Sequence, residues 1–355
     1  MRLLVDITAH GWGHLSQTSP IMTALRDYYP GLELIVRSGL PSALVAQRLP
    51  GVVKHLQSET EFGLVMESPF LVAKAATLQR YQSIHAGLEC SIDDVASLIE
   101  AERCDAVFTN IGYIAIAAAQ RASVPSIACS SLNWSDVFSA FCGALSDAAP
   151  IIESMDAAYR QASLFIRLVP GLPMDKLATH SITRPIAKVG DYNRAQLIEA
   201  LGLKSDQATV LCSFGGMLPA EPPPFVHKRD GLVVIGPRAW SEYGVIPVDD
   251  LPVAYADVLA SVDAVVTKPG YGIVSELGCT ATPAIMVSRG EWPEEPYLLD
   301  WLSRHGKHVS VKDINVVSAA FIKDWLIESA NKSTAVAQPG GEQDVARYIS
   351  RRLLD

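Results

Sequence analysis

Residues 265–299 read VVTKPGYGIVSELGCTATPAIMVSRGEWPEEPYLL, and the fold follows from this stretch. The apolar run Ala264–Thr267 reads as a buried strand. Pro269-Gly270-Tyr271-Gly272 breaks it, and apolar residues resume at helical spacing from Ile273 to Gly278, around Ser275 and Glu276. A second apolar run, Ala284–Val287, follows Pro283, and the acidic segment from Arg289 to Pro296 leads into another helix. A glycine-rich turn between strand and helix lets backbone N–H groups approach an anion, and the helix N-terminus adds its partial positive charge. Glu276, one turn further in, is placed to accept hydrogen bonds from a ribose diol. Phosphate donors beside a diol acceptor describe a nucleotide site. The plainer alternative is a connection in which the glycines only permit the turn.

Outward from this stretch the chain alternates strand and helix. Arg2–Ile7 is an apolar strand running into His10-Gly11-Trp12-Gly13-His14, and Leu15–Tyr29 reads as a helix ended by Pro30-Gly31. Leu32–Arg37 and Gly39–Leu49 repeat the pattern, which argues for a parallel sheet covered by helices. Phe62–Val65 with Glu67-Ser-Pro69 reads as loop, and residues 70–99 as long helical patterns. Asp105–Thr109, Pro125–Ser130 and Leu164–Leu168 are further strands, and Ile114–Arg121 is a helix. The polar, aromatic segment Ser131–Asp136 is either a surface loop or part of a pocket for a second substrate. Pro and Gly accumulate between 170 and 190, so a first domain is expected over 1–178 and a second over 179–335. In the second, Thr209–Ser213 is a strand ending in Phe214-Gly215-Gly216. An amphipathic helix over residues 344–354 closes the chain.

Composition narrows the function classes. With 355 residues, 49% of them hydrophobic, the chain can fill two cores. A net charge of −9 argues against a nucleic-acid-binding surface, though a few amides and one Arg suffice for a small anion. The start lacks the cationic run and apolar core of a signal peptide, and no stretch approaches the length of a membrane span. Six scattered cysteines in apolar settings read as core residues of a reducing compartment, so a cytoplasmic location is expected. Asp-x-Asp, a metal–diphosphate signature, has no convincing example, and no metal or other cofactor is expected.

Lys268-Pro-Gly-Tyr-Gly-Ile-Val-Ser275-Glu276, followed by Pro283, resembles the donor-nucleotide motif of GT-B glycosyltransferases. Within that superfamily it is similar to the N-acetylglucosaminyltransferase of peptidoglycan lipid II synthesis. The run from Gly270 to Leu298 is more similar still to the glycosyltransferase-like region of plant arabinokinase-type proteins. The resemblance implies an α/β GT-B architecture, two Rossmann-like domains with parallel sheets facing a cleft, and a terminal helix (336–355) that crosses back onto the first domain. It implies a metal-independent, inverting transfer of a hexosyl or N-acetylhexosaminyl group from a nucleotide diphosphate sugar, a UDP-sugar foremost, to a hydroxyl of a small soluble acceptor. His14 or His10 would be the base, the choice being open. Gly11, Gly13, Ser213, Gly215, Gly216, Lys268, Gly270, Tyr271, Gly272, Ser275, Glu276, Arg289, Glu294 and Glu295 would face the donor. Trp12, Asn133 and Trp134 would face the acceptor. Two alternatives share the fold: a non-hydrolysing nucleotide-sugar epimerase, which needs extra acidic catalytic residues and no acceptor, and a non-catalytic nucleotide-sugar-binding protein, which could lose the histidine. Against the arabinokinase type, these 355 residues are expected to leave no room for a sugar kinase.

Overall fold

The computed structural model describes residues 1–353 except 50, 59, 60, 205 and 220. The first sheet is built from β1 (Arg2–Ile7), β2 (Glu33–Arg37) and β3 (Val52–Leu56). A small antiparallel hairpin, β4 (Met66–Ser68) and β5 (Leu71–Val72), stands apart, where a loop and the start of a helical region were expected. The sheet continues with β6 (Ala106–Asn110), β7 (Ser126–Ser130), β8 (Leu164–Leu168) and β9 (His180–Ile182). The strand order is β3-β2-β1-β6-β7-β8-β9, all parallel. The last strand ends at Ile182, so the first sheet runs past the boundary expected after residue 178.

Helices cover both faces, which is why its strands are nearly unbroken apolar runs. On one face lie α1 (Gly13–Tyr28) and α2 (Ser42–Arg48). On the other lie α3 (Lys74–Ala86), α4 (Leu88–Ala101), α5 (Tyr113–Arg121), α6 (Trp134–Cys142) and α7 (Ala148–Tyr159). The long helical region expected over 70–99 is divided at Gly87 into α3 and α4.

The second domain adds α8 (Arg194–Leu201), β10 (Thr209–Ser213), α9 (Pro224–His227), β11 (Val233–Gly236) and β12 (Ile246–Pro247). There follow α10 (Tyr255–Ser261), β13 (Ala264–Thr267), α11 (Tyr271–Thr280), β14 (Ala284–Val287), α12 (Glu295–His305), β15 (His308–Val311) and α13 (Ala319–Ala330). Its sheet has the parallel order β12-β11-β10-β13-β14-β15. Finally α14 (Gly341–Leu353) returns to the first domain, where Val345, Ala346 and Ile349 join the core beneath α1, and Arg184 holds Asp344. The expected terminal helix reached Leu354, which lies outside the described residues. Among the described residues no helix is long and apolar enough to cross a membrane.

Both sheets have a switch point, where chain progress reverses direction across the sheet: β1 between β2 and β6, and β10 between β11 and β13. A ligand binds outside the carboxyl ends of the strands at such a point. The loops leaving β1, β6, β10 and β13 are therefore the ones the topology reserves for function.

Candidate active site

The β1–α1 loop begins the site. Trp12, the N-cap of α1, makes no capping side-chain bond, so the first-turn amides of this helix remain open. His14 is buried, and its Nδ1 lies 2.7 Å from Asn110 Oδ1 at the end of β6. Asn110 Nδ2 donates to Gln17 Oε1 at 2.9 Å, which turns Oδ1 toward the histidine. Nδ1 therefore carries the proton and donates, and Nε2 keeps the lone pair. Burial lowers the His14 pKa, partly opposed by the Asn110 bond, so the ring is neutral at pH 7.

His10 is held differently. The backbone N–H of Leu64 donates to its Nδ1 at 3.3 Å, which fixes the proton on Nε2. Its ring meets the Trp134 edge at 5.2 Å between centroids and stacks with Trp292 of the second domain at 6.3 Å. Burial, with His14, Arg289 and Lys268 near it, pushes its pKa down to about 3. Held so, His10 has no spare lone pair to take a proton.

From the second domain comes the β13–α11 turn. Gly270 caps α11 with extended backbone and no side-chain bond, and no acidic residue occupies the first turn. A Cβ added at Gly13, Gly270 or Gly272 would meet no protein atom within 4 Å, and none of the three has a positive φ. Neither packing nor backbone strain explains these glycines, which leave the backbone bare at the starts of both helices. Gly215, at φ +71°, does need its conformation, and Gly216 lies against Trp12, whose Cδ1 would be 3.4 Å from an added Cβ. Thus the exposed Trp12 lies beside Gly216 of the other domain across the cleft. Ser213 shares a 2.8 Å hydrogen bond with Tyr255 at the start of α10.

Two cations meet here. Burial and the charge of Arg289 lower the Lys268 ammonium to about 8, and burial lowers the Arg289 guanidinium to about 10, with Glu294 and Glu295 opposing. Arg289 lies flat on Trp292, 3.4 Å from its ring centre. Neither cation forms an ion pair with a carboxylate among the described residues. Glu276 is pushed up to about 7 by burial, with Arg48 and Lys188 pulling weakly the other way.

Several expected contacts take another place. Tyr271 is buried with the first domain's core, and its hydroxyl accepts the Ile186 N–H at 2.9 Å, so its side chain ties the domains together and does not face the cleft. Ser275 is fully buried on the inner side of α11. Glu295 accepts from Ser288 Oγ and from the Arg289 N–H, both at 2.6 Å, which consumes both oxygens within its own loop. Asn133 caps α6 by accepting the Asp136 N–H at 2.8 Å. Trp134 is fully buried behind the two histidines, its indole donating to Thr8 Oγ1 at 3.3 Å. Residues 131–136 are thus a buried helix start, neither surface loop nor acceptor wall. Glu294 is buried between the domains, beside Ser131, Trp292 and Arg289.

No protein-family model matches the chain. The solved structure of UGT89C1 from Arabidopsis thaliana, complexed with UDP, matches over 100% of both chains with a TM-score of 0.61 at 12% identity. MurG of Acinetobacter baumannii matches over 99% of both chains, with a TM-score of 0.56 at 14% identity. This chain has the GT-B glycosyltransferase fold. In sequence it is 23% identical over 319 residues to the L-arabinokinase of Arabidopsis thaliana, which is 83% of this chain and 29% of that protein's length.

Within this GT-B frame, the described loops are the facing walls of the cleft between the two domains. Sequence reading missed Asn110, Gln17 and Tyr255. Asn110-Ile-Gly112 closes a strand as His10–Gly13 does, and that polar-then-glycine ending was the signal available. Only the sheet order, which sets β6 beside β1, brings Asn110 to His14.

Proposed function

We propose that the chain transfers a glycosyl group from a nucleoside diphosphate sugar to an acceptor hydroxyl. The observation that carries this reading is the pairing of two desolvated cations, Lys268 and Arg289, neither in an ion pair among the described residues, with a neutral His14 whose Nε2 is free to accept a proton. The cations and the open amides of α11 would take the diphosphate, and Glu276 the ribose. His14 would deprotonate the acceptor hydroxyl as it attacks the anomeric carbon, giving inversion by direct displacement. The C1–O bond to the diphosphate breaks as the new C1–O bond forms. The departing diphosphate is stabilised by fixed positive charge and backbone dipoles, without a metal ion, so chelation by EDTA leaves turnover unchanged. UDP is the first nucleotide to test, because a GT-B neighbour has been solved with it. A hexosyl or N-acetylhexosaminyl donor and a small soluble acceptor complete the reading, and the cytoplasm is the proposed location.

A thermal-shift screen against UDP, GDP, TDP, ADP and CMP, alone and as their common sugars, tests it. A ligand that binds only the folded chain stabilises it by RT ln(1 + [L]/Kd), about 2.7 kcal/mol at a hundred times Kd. A shift with one diphosphate, lost in Lys268→Met, supports the site. No shift with any of them overturns the reading.

A further inference from the structure

Each domain sets an aromatic side chain into the other. Trp292 follows β14 of the second domain, yet it is buried in the first domain's core. There it stacks with His10 at 6.3 Å between centroids and tilts against Phe141 at 5.9 Å. Phe70, at the tip of the β4–β5 hairpin, makes the reverse crossing. It packs against the second domain's core and meets Phe214 edge-on at 6.3 Å. Lys74, the first residue of α3, pairs with Glu291, the neighbour of Trp292. One side of the cleft is therefore closed by residues 70–74 acting against residues 214 and 289–292.

Neither half of this closure is anchored like the strands behind it. The hairpin belongs to neither large sheet, and two short strands alone are only marginally stable. The other half is a turn in which Gly290 has φ +67° and no protein atom within 4 Å of where a Cβ would stand. The turn's bonds stay within the second domain. Glu295 accepts from Ser288 and from the Arg289 N–H, and the Trp292 indole donates to Glu294 at 3.4 Å, so withdrawal of Trp292 leaves them intact. Segments so held are the ones that open at low free-energy cost.

The cleft behind them has a reason to open. His14 is 6% exposed, so a hydroxyl reaches its Nε2 only if a wall moves. Trp134, beside both histidines, is fixed in the first domain by complete burial and its bond to Thr8. The side that can part from it is the one the second domain supplies, where Trp292 covers His10. We propose that the hairpin tip and the 289–292 turn form one clasp, from which Phe70 and Trp292 withdraw together to admit substrate. The reading of His14 as base names what enters, and the proposal rests on it there. Release of the clasp is measured without ligand, so failure of one leaves the other standing.

The experiment is NMR of the ligand-free full chain carrying isotopically labelled tryptophan, following exchange of each indole N–H in heavy water. The Trp292 signal is assigned by its loss in Trp292→Phe. Exchange there requires the indole to leave the first domain's core, so its rate reads the open fraction however small that is. Phe70→Ala and Lys74→Met alter only the hairpin side of the clasp. Phe70→Ala should nevertheless speed Trp292 exchange by about tenfold, as loss of an aromatic contact across the clasp implies. Lys74→Met should speed it by about two- to fivefold, the range of an exposed ion pair. Trp134 and Trp325, one in each domain's own core, should keep their rates within about twofold. The proposal is overturned if Trp292 exchange is unchanged in whichever variant folds, or if all three indoles accelerate together, which is general loosening and no clasp.

Discussion

In the proposed transfer, Lys268 and His14 would divide between them the two charges to be managed, one on the leaving diphosphate and one on the attacking hydroxyl. The free Lys268 ammonium titrates at about 8, below the ordinary lysine range. A bound anion raises that value, so binding is strongest below pH 8 and weakens as the pH rises through it. The Kd for UDP should be about tenfold weaker at pH 9 than at pH 7, since only about a tenth of the side chain stays charged one unit above its pKa. Lys268→Arg should flatten that dependence; the same slope in the variant would take Lys268 out of the site. As the proposed base, His14 would make a kinetic rather than a binding contribution. His14→Ala should lower kcat by about 10²–10⁴ with nucleotide affinity nearly intact. Loss of nucleotide binding with unchanged turnover at saturation would remove the base role.

Helix α11 shows function set against stability within one element. Its N-cap is Gly270, which offers no side-chain acceptor, at a cost of about a few tenths of a kcal/mol against Ser or Asp. It also holds the half-buried Glu276, whose carboxyl is pushed up to about 7 against an ordinary value of 4.5. Because the folded value is raised, the protonated form is the one folding favours. That contribution is fully present below pH 4.5 and is lost as the pH rises through 7. Glu276→Gln should accordingly raise Tm at pH 8, by about 1–3 kcal/mol in stability, and leave it nearly unchanged at pH 4. The same change should weaken nucleotide binding, because a neutral amide accepts from a diol less strongly than a carboxylate. An equal Tm gain at both pH values would mean that the carboxyl is not desolvated. The strands around α11 were legible because parallel strands buried on both faces are continuous apolar runs, as Ala264–Thr267 and Thr209–Ser213 are. Residues 131–136 misled for a physical reason: their polarity is satisfied internally, by the Asn133 cap and the Trp134–Thr8 bond, and composition cannot distinguish a satisfied buried group from a solvated one. Tyr271 and Glu295 were misplaced because their partners, Ile186 and the Ser288–Arg289 turn, follow from how the chain doubles back.

Across the whole molecule the cleft is held from several sides. Lys74 reaches Glu291 at 2.5 Å, Tyr271 bonds Ile186, and Trp12 lies on Gly216. None of these pairs could be read from local pattern, since each joins residues far apart in the chain, just as His14 and Asn110 stand 96 residues apart. Exposed ion pairs such as Lys74–Glu291 contribute little, about 0–1 kcal/mol, and permit the domains to shift. Helix α14 is a different kind of tie. It follows the second domain in sequence yet buries Val345, Ala346 and Ile349 beneath α1, with Arg184 bonded twice to Asp344. The first domain's core is therefore incomplete without the last residues of the chain. Ile349, 1% exposed, is the residue to truncate. Ile349→Ala removes buried methyl groups in a site where neighbouring side chains can only partly collapse, at a cost of about 2–5 kcal/mol. Calorimetry should show the loss in the transition of the first domain, although the substitution lies at the other end of the chain. A loss below about 0.5 kcal/mol, the range of surface changes, would show that α14 does not complete that core. If α14 does complete it, melting the first domain releases the helix that bridges both halves, and the cleft that aligns Lys268 with His14 is lost with it.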